Sequence, residues 1–317
     1  MRILLTGSNG FIGRRVTLDA LARGWEVVGL GRQDAPTAPV TRYVRHDLGE
    51  PLDLDEAVDA VVHAAGLASP WASPSAYQRG NVRATATVLA WAREHGRPPV
   101  HYVSSSSVFY RDTDQTALSE RSPIPTDAEQ INTYSRTKLA GERLTRAYPG
   151  EWAVLRPRAV IGVGDTVLLP RVLEAARKGV LPRFTRADGR RVWADLTPVA
   201  TVSHYLLESV AQRFTGELNL SNGETVELDP FVDDVLARLG LDPRRPRVPV
   251  AVAMAMAGAA ERYSARFGGW AEPPITRYGV SMFAHSKTFD ATRVQAVLGP
   301  PPVSVGQAVD ELVAAGG

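Results

Sequence analysis

The sequence predicts an α/β fold built on a parallel sheet that is doubly wound by helices. Short apolar runs alternate with amphipathic stretches to about residue 160, and such alternation places helices on both faces of parallel strands. A glycine-rich turn lies between the first such run and the first amphipathic stretch. From Arg158 onward the alternation gives way to pieces punctuated by Pro182, Pro198, Pro230, Pro243, Pro246 and Pro249.

Arg2-Ile3-Leu4-Leu5-Thr6 is apolar without a helical period and reads as a buried strand. Thr6-Gly7-Ser8-Asn9-Gly10-Phe11-Ile12-Gly13 follows, then an amphipathic stretch through Arg23 that stops at Gly24. Strand, glycine turn and helix in that order give a Gly-rich motif its meaning. Gly7 permits the tight turn, Gly10 lets the backbone approach a pyrophosphate, and Gly13 lets helix and strand pack closely. Free N–H groups at the helix start would hold the anion.

Trp25-Glu26-Val27-Val28-Gly29-Leu30 reads as the second strand and ends in Gly31-Arg32. A carboxylate at this end would repel a 2′-phosphate, whereas the Arg32 guanidinium can bind it in bidentate fashion. NADP is therefore expected, with NAD as the alternative. Further along, Ser75–His95 and Thr133–Tyr148 are helix candidates, and Val100–Val103 and Trp152–Leu155 are strand candidates. Val248–Ala260 is the longest apolar stretch. It falls short of the ~20 residues that span a bilayer, and reads as a buried or interface helix.

Tyr134 and Lys138 stand four residues apart, one helical turn on the same face. In a cofactor cleft the ammonium would favour phenolate over phenol and make a proton donor and acceptor near neutral pH. Lysine is rare here, at positions 138, 178 and 287 only, so Lys138 in this spacing is not an accident of composition. Over 317 residues, 44% hydrophobic and 22% charged content suit a globular enzyme with one large core or two smaller ones. A net charge of +2 gives no broad electrostatic case for nucleic acid. There is no cysteine, hence no disulfide or thiolate metal site, and the six histidines lack metal-ligand spacing. No signal peptide precedes the first strand, and a cytoplasmic location without a membrane span is expected.

A series of motifs carries a resemblance: Thr6-Gly7-x-x-Gly10-x-x-Gly13, His46-Asp47-Leu48, Val61-Val62-His63-Ala64-Ala65-Gly66, Asn81-Val82, Ser104-Ser105-x-x-Val108-Phe109, Tyr134-x-x-x-Lys138 and Leu155-Arg156-Pro157. The chain resembles the extended short-chain dehydrogenase/reductase family, also called the NAD-dependent epimerase/dehydratase family. The resemblance implies a Rossmann-type doubly wound sheet with a smaller C-terminal substrate-binding lobe. Residues 1–160 would bind the dinucleotide, and 161–317 would mainly form the substrate lobe, interleaved with the last strands of the sheet. Gly7, Asn9, Gly10, Phe11, Ile12, Gly13, Arg32, Asp47, Leu48, Ala64, Ala65, Gly66, Asn81, Tyr134, Lys138 and Arg156 are the cofactor-binding expectations. Ser105, Tyr134 and Lys138 are the catalytic ones. Ser104 to Ser107 is a run of four; the family pattern selects Ser105, with Ser106 as the fallback. Homodimers are frequent in the family, and the substrate would be a small molecule.

The family's dehydratases carry Asp-Glu where this chain has Ser106-Ser107, so elimination chemistry lacks its usual groups. The segment Arg156 to Gly162 lacks the asparagine common in nucleotide-sugar epimerases, although Arg158 or Arg183 could bind a phosphate. That segment, and the stretch from Pro274-Ile275-Thr276-Arg277-Tyr278 to Thr288-Phe289-Asp290, look more like the 3β-hydroxysteroid dehydrogenase-type branch. The leading expectation is an NADP-dependent ketoreductase or alcohol dehydrogenase for a fairly apolar ketone or secondary alcohol. A nucleotide-sugar 4-epimerase with tightly bound NAD is the alternative, and a non-catalytic dinucleotide sensor is a third reading. Trp71, Phe184, Trp193 and Phe283 are candidate apolar walls.

Overall fold

Seven parallel strands form the central sheet of the computed structural model, which describes residues 1–167 and 169–316. Leu168 and Gly317, both inside the expected substrate lobe, lie outside the described residues. In chain order the strands are β1 (Arg2–Thr6), β2 (Glu26–Gly31), β3 (Arg42–Arg45), β4 (Ala60–His63), β5 (Val100–Val103), β6 (Trp152–Pro157) and β7 (Gly216–Leu220). Their spatial order is β3-β2-β1-β4-β5-β6-β7. Ile3, Leu4, Leu5, Val28, Val62 and Leu155 are fully buried, as parallel strands covered on both faces require. The last strand comes from the second half of the chain and pairs with β6, Leu218 opposite Leu155.

One face is covered by α1 (Phe11–Ala22) and by the helix Val199–Ala211, with Val16, Ala20, Val202 and Leu206 meeting Ile3, Leu5 and Val62. The other face carries α2 (Ala84–Glu94) and α3 (Thr133–Arg146), where Val88 and Trp91 meet Leu4, Val28 and Val61. Strand order reverses between β1 and β4, and ligands bind such sheets in the crevice beyond the strand ends at that point.

The helix expected over 75–95 is interrupted. Pro74–Tyr77 is α-helical, Gln78–Arg83 is a π-helical turn, and α2 follows. This wide turn carries the buried Asn81. Its carboxamide accepts from the Leu67 amide (2.7 Å) and donates to the Leu67 carbonyl (3.3 Å) and Thr137 Oγ1 (3.0 Å). The π turn thus ties the loop after β4 to α3, a use typical of such turns near functional sites.

Gln115–Leu118, Trp193–Asp195, Thr225–Glu227 and Lys287–Phe289 form a second sheet of four strands. The apolar stretch near 250 becomes a helix, Val250–Phe267, which buries Ala253 and Ala257 against Val280 of the helix Arg277–Ala284. Its other face leaves Val252, Met256, Tyr263 and Phe267 exposed. No helix among the described residues is long and apolar enough to cross a membrane.

A buried ion cluster fixes α3 to the sheet. Glu142, with no solvent exposure, accepts from Arg156 Nε and Nη2 (both 2.8 Å), from Arg146 Nη2 (2.8 Å) and from the Ser104 hydroxyl (2.6 Å). Glu217 on β7 accepts from both arginines at 2.5 and 2.6 Å. Removing one partner of such a pair leaves a buried charge without compensation. Glu142→Ala should therefore lower unfolding free energy by about 3–5 kcal/mol, measured by denaturant unfolding, while Glu142→Leu with Arg156→Met should recover most of that loss.

Candidate active site

The glycine turn after β1 has the shape its residue spacing predicts. Gly7 has φ +71° and its amide donates to the Leu30 carbonyl (2.8 Å), and the Gly10 amide donates back to Gly7 O (2.9 Å). A Cβ at Gly13 would sit 2.1 Å from Gly7 O, so only glycine lets α1 start this close to the strand. Gly10 caps α1 without any side-chain acceptor, leaving the first helical amides for a ligand.

Beside this turn, a buried histidine sets the cleft floor. Burial pushes His63 down to about 3, so its ring is neutral near pH 7. Thr85 Oγ1 donates to the Asn81 carbonyl (2.6 Å) and therefore accepts from His63 Nε2 (3.0 Å). The Nδ1 atom is then the bare acceptor, and the Thr6 hydroxyl donates to it (2.7 Å). Thr6 Oγ1 in turn accepts from the Ala65 amide at 3.2 Å. One proton inventory thus orients the Ala64-Ala65-Gly66 turn.

The run of serines is resolved by its partners. Ser104 is buried on Glu142, and Ser106 is buried on the Tyr110 hydroxyl (2.8 Å). Ser107 is buried and takes the hydroxyl proton of Ser105 (3.0 Å). Ser105 is the least buried of the four and caps the short helix Ser106–Phe109. It lines the same cavity as Tyr134. Burial raises the Tyr134 phenol, and the nearby Ser105 hydroxyl opposes that rise. The expected depression by Lys138 is absent. The ammonium is itself buried and pushed down to about 8, donates to the Val103 carbonyl (2.8 Å) and lies 5.0 Å from the centre of the Tyr102 ring. It stands against Gly66, where a Cβ would be 3.1 Å from Nζ.

These groups line one cavity of about 460 Å³, shared by Gly7, Gly10, Phe11, Ile12, Gly13, Ala64, Gly66, Ser105 and Tyr134. Its far wall comes from the second half of the chain, including Leu196, Leu228, Tyr278, Met282 and Phe283. Of the expected apolar walls, Phe283 lines this cavity. Trp71 instead stacks on Trp270 (5.4 Å), Phe184 packs near Ala253, and Trp193 is largely exposed. Tyr278 and Arg158 also line the cavity, and sequence reasoning gave the first no role and the second only a phosphate. Tyr278 is a buried phenol raised well above its ordinary value, by burial first and then by Tyr110 and Tyr134. No local spacing marks it.

The NAD dependent epimerase/dehydratase family matches residues 3–220. The chain belongs to that family. It is 32% identical to the 2-alkyl-3-oxoalkanoate reductase of Stenotrophomonas maltophilia, over 88% of each chain. It is 28% identical to the 4-hydroxy-2-methyl-3-oxo-4-farnesyl-3,4-dihydroquinoline-1-oxide ketoreductase of Stigmatella aurantiaca, over 94% of this chain and 91% of that one. A 3beta-hydroxysteroid-dehydrogenase/decarboxylase of Arabidopsis thaliana is 26% identical over 83% of this chain and 49% of its own, in line with the branch the sequence resembles. Among solved structures, MoeE5 in complex with UDP-glucose and NAD is similar with a TM-score of 0.73 at 25% identity, over 99% of this chain and 98% of that one.

The family's nicotinamide cofactor fits the residues present, because the glycine turn lines the cavity and the start of α1 beside it has no side-chain cap for its free amides. At the other end of the groove, Asp47 is held below the usual carboxylate range by the Gly49 amide (2.9 Å), with the Arg79 and Arg32 charges adding to the effect. Arg32 is exposed at the end of β2 and has no ion pair among the described residues. Leu48 is buried beside Asp47. The Asn9 carboxamide is spent on Gln33, Ala35 and Thr37, shaping the loop after β2 rather than pointing into the cavity. Asn81 likewise acts on Leu67 and Thr137. Arg156, expected at the cofactor, is corrected by the structure: its side chain is fully buried on Glu142 and Glu217 and does not line the cleft. Gly13→Ala should weaken NADH and NADPH at least about tenfold by opening this turn, read by calorimetric titration of a variant whose circular dichroism matches wild type.

Proposed function

We propose that the protein is an NADP-dependent ketoreductase that interconverts a fairly apolar ketone and its secondary alcohol. The observation that carries this reading is that Ser105 and Tyr134 line one cavity together, between the glycine turn and an apolar wall of Leu196, Leu228, Met282 and Phe283. The ketoreductase relatives support it at near full length. The cofactor, when bound, supplies the hydride. Ser105 polarises the ketone oxygen, and Tyr134 gives that oxygen its proton as the carbon is reduced. Lys138 holds the ribose side of the cleft through its fixed position between Val103 O and Gly66. Residues 1–160 bind the dinucleotide, and 161–317 contribute mainly the substrate wall. Arg32, unpaired and close enough to lower Asp47, takes the 2′-phosphate.

Tyr134→Phe should cut turnover by about 10²–10⁴-fold while leaving calorimetric NADPH affinity nearly unchanged; near-wild-type turnover would remove Tyr134 from the mechanism. Arg32→Glu should weaken NADPH at least about tenfold more than NADH. Equal loss for the two cofactors would overturn the 2′-phosphate assignment, and NAD retained on the purified protein would put the nucleotide-sugar epimerase in first place.

A further inference from the structure

Arg158 follows β6 directly, and its backbone amide is tied to Leu220 O (3.0 Å). The next residue, Ala159, has φ +34°, a left-handed conformation costly for a residue with a Cβ. This strained corner accompanies a side chain that is only 6% exposed yet lines the catalytic cavity. Its guanidinium carbon lies 5.5 Å from the centre of the Tyr110 ring. Its Nε atom is buried with no hydrogen-bond partner.

The charges around it offer no relief. Among the described residues no carboxylate pairs with Arg158. Asp195, the fully buried carboxylate nearby, is already satisfied by Thr225 Oγ1 (2.6 Å), Ser221 Oγ (3.0 Å) and the Phe289 amide (2.7 Å). Asp114 is taken by Arg186 and the Ser286 amide. Lys287, a second buried cation, lies 5.8 Å from the centre of the same Tyr110 ring with its ammonium donating to Thr113 O. A buried guanidinium without a counter-charge is strongly unfavourable, and a planar carboxylate fits its fork.

The position of this cation is specific. The Tyr110 hydroxyl bonds to Ser106, the immediate neighbour of Ser105. Arg158 lines the same cavity as the Ser105 hydroxyl that would polarise the ketone, and Leu196, Leu228, Met282 and Phe283 supply that cavity with an apolar wall. We infer that Arg158 binds a carboxylate of the substrate a few bonds from the reacting carbonyl, so that the preferred substrate is a 3-oxo acid, with its alkyl chain along Leu196, Leu228, Met282 and Phe283. This assignment rests on the ketoreductase reading of the same cavity. A nucleotide-sugar phosphate is the poorer fit, because the second guanidinium of the cavity, Arg171, is already paired with Glu272.

The test compares reduction of 3-oxododecanoic acid and its methyl ester by wild type, Arg158→Met and Arg158→Lys, with both NADPH and NADH. Wild type should favour the acid by about 100-fold in kcat/KM. Arg158→Met should collapse that ratio to near unity, and Arg158→Lys, which keeps the charge without the fork, should retain about tenfold. Dodecanoic acid, which has no carbonyl to reduce, should bind wild type in a calorimetric titration and not Arg158→Met. Equal efficiency for acid and ester in wild type, or an acid preference surviving in Arg158→Met, would overturn the carboxylate site and leave the ketoreductase standing. Reduction of neither compound, in a protein that still binds dodecanoic acid through Arg158, would overturn the ketoreductase instead.

Discussion

The arrangement of the cleft depends on how α3 is held against the sheet, and that is decided by the buried pair of Glu142 and Arg156. Tyr134, Lys138 and Glu142 are spaced four residues apart and form one stripe along the helix. The carboxylate at one end of the stripe is clamped to β6 and β7, so the phenol at the other end has little freedom to turn. Gly141 makes the close approach possible, since a Cβ there would lie 2.3 Å from the Tyr102 hydroxyl. The same carboxylate takes the Ser104 hydroxyl. With Ser104 drawn toward α3, the extended backbone at Ser105 (φ −154°, ψ 141°) turns the next side chain toward the cleft. One ion pair thus positions the proton donor and the polarising hydroxyl together.

A second constraint acts from the opposite side. Neutral His63 joins the end of β1, the turn after β4 and the first turn of α2, through threonines at both ring nitrogens. If the ring were charged, Nδ1 would carry a proton and the Thr6 hydroxyl would lose its acceptor. The turn at Ala65 would lose its fixed partner with it. Burial keeps the ring neutral, so the geometry of the cleft floor and the low proton affinity of His63 have one cause.

The sequence made legible those parts whose physics is local. The first strand, the glycine turn and the helix after it follow from spacing and from the backbone freedom of Gly7 and Gly13. The Tyr134–Lys138 spacing gave the common helix face. It did not give the direction of the pKa shift, because that depends on how deeply both groups are buried and on Val103 O capturing the ammonium. Arg156 was misplaced for a similar reason, since one of its partners, Glu217, lies 61 residues away. The choice among four serines needed the partners of each. The π turn at Gln78–Arg83 leaves no mark on the hydrophobic period, since one widened turn barely shifts a helical stripe. Arg158 and Tyr278 come from a half of the chain without regular alternation, where only the folded structure brings them to Tyr134.

Buried charge and backbone strain meet at the cleft. Lys138 is buried and its ammonium is pushed down to about 8, Arg158 is buried with an orphan Nε, and Ala159 holds a left-handed backbone at a cost of about 1–2 kcal/mol. Left to themselves, such features would let the cleft relax toward packing that satisfies them. They persist because the surrounding structure is over-determined: the Glu142 cluster behind α3, the Thr6–His63–Thr85 chain beneath the glycine turn, and the saturated Asp195 that joins Ser221 to Phe289. Asp195 is informative by contrast with Arg158. Both are buried charges in the same region, but the acid has three donors on its oxygens, while the base has a ring face and an open cavity. A fold that fully satisfies one buried charge and leaves its neighbour facing a ligand-sized space has reserved that neighbour for a counter-charge arriving from outside.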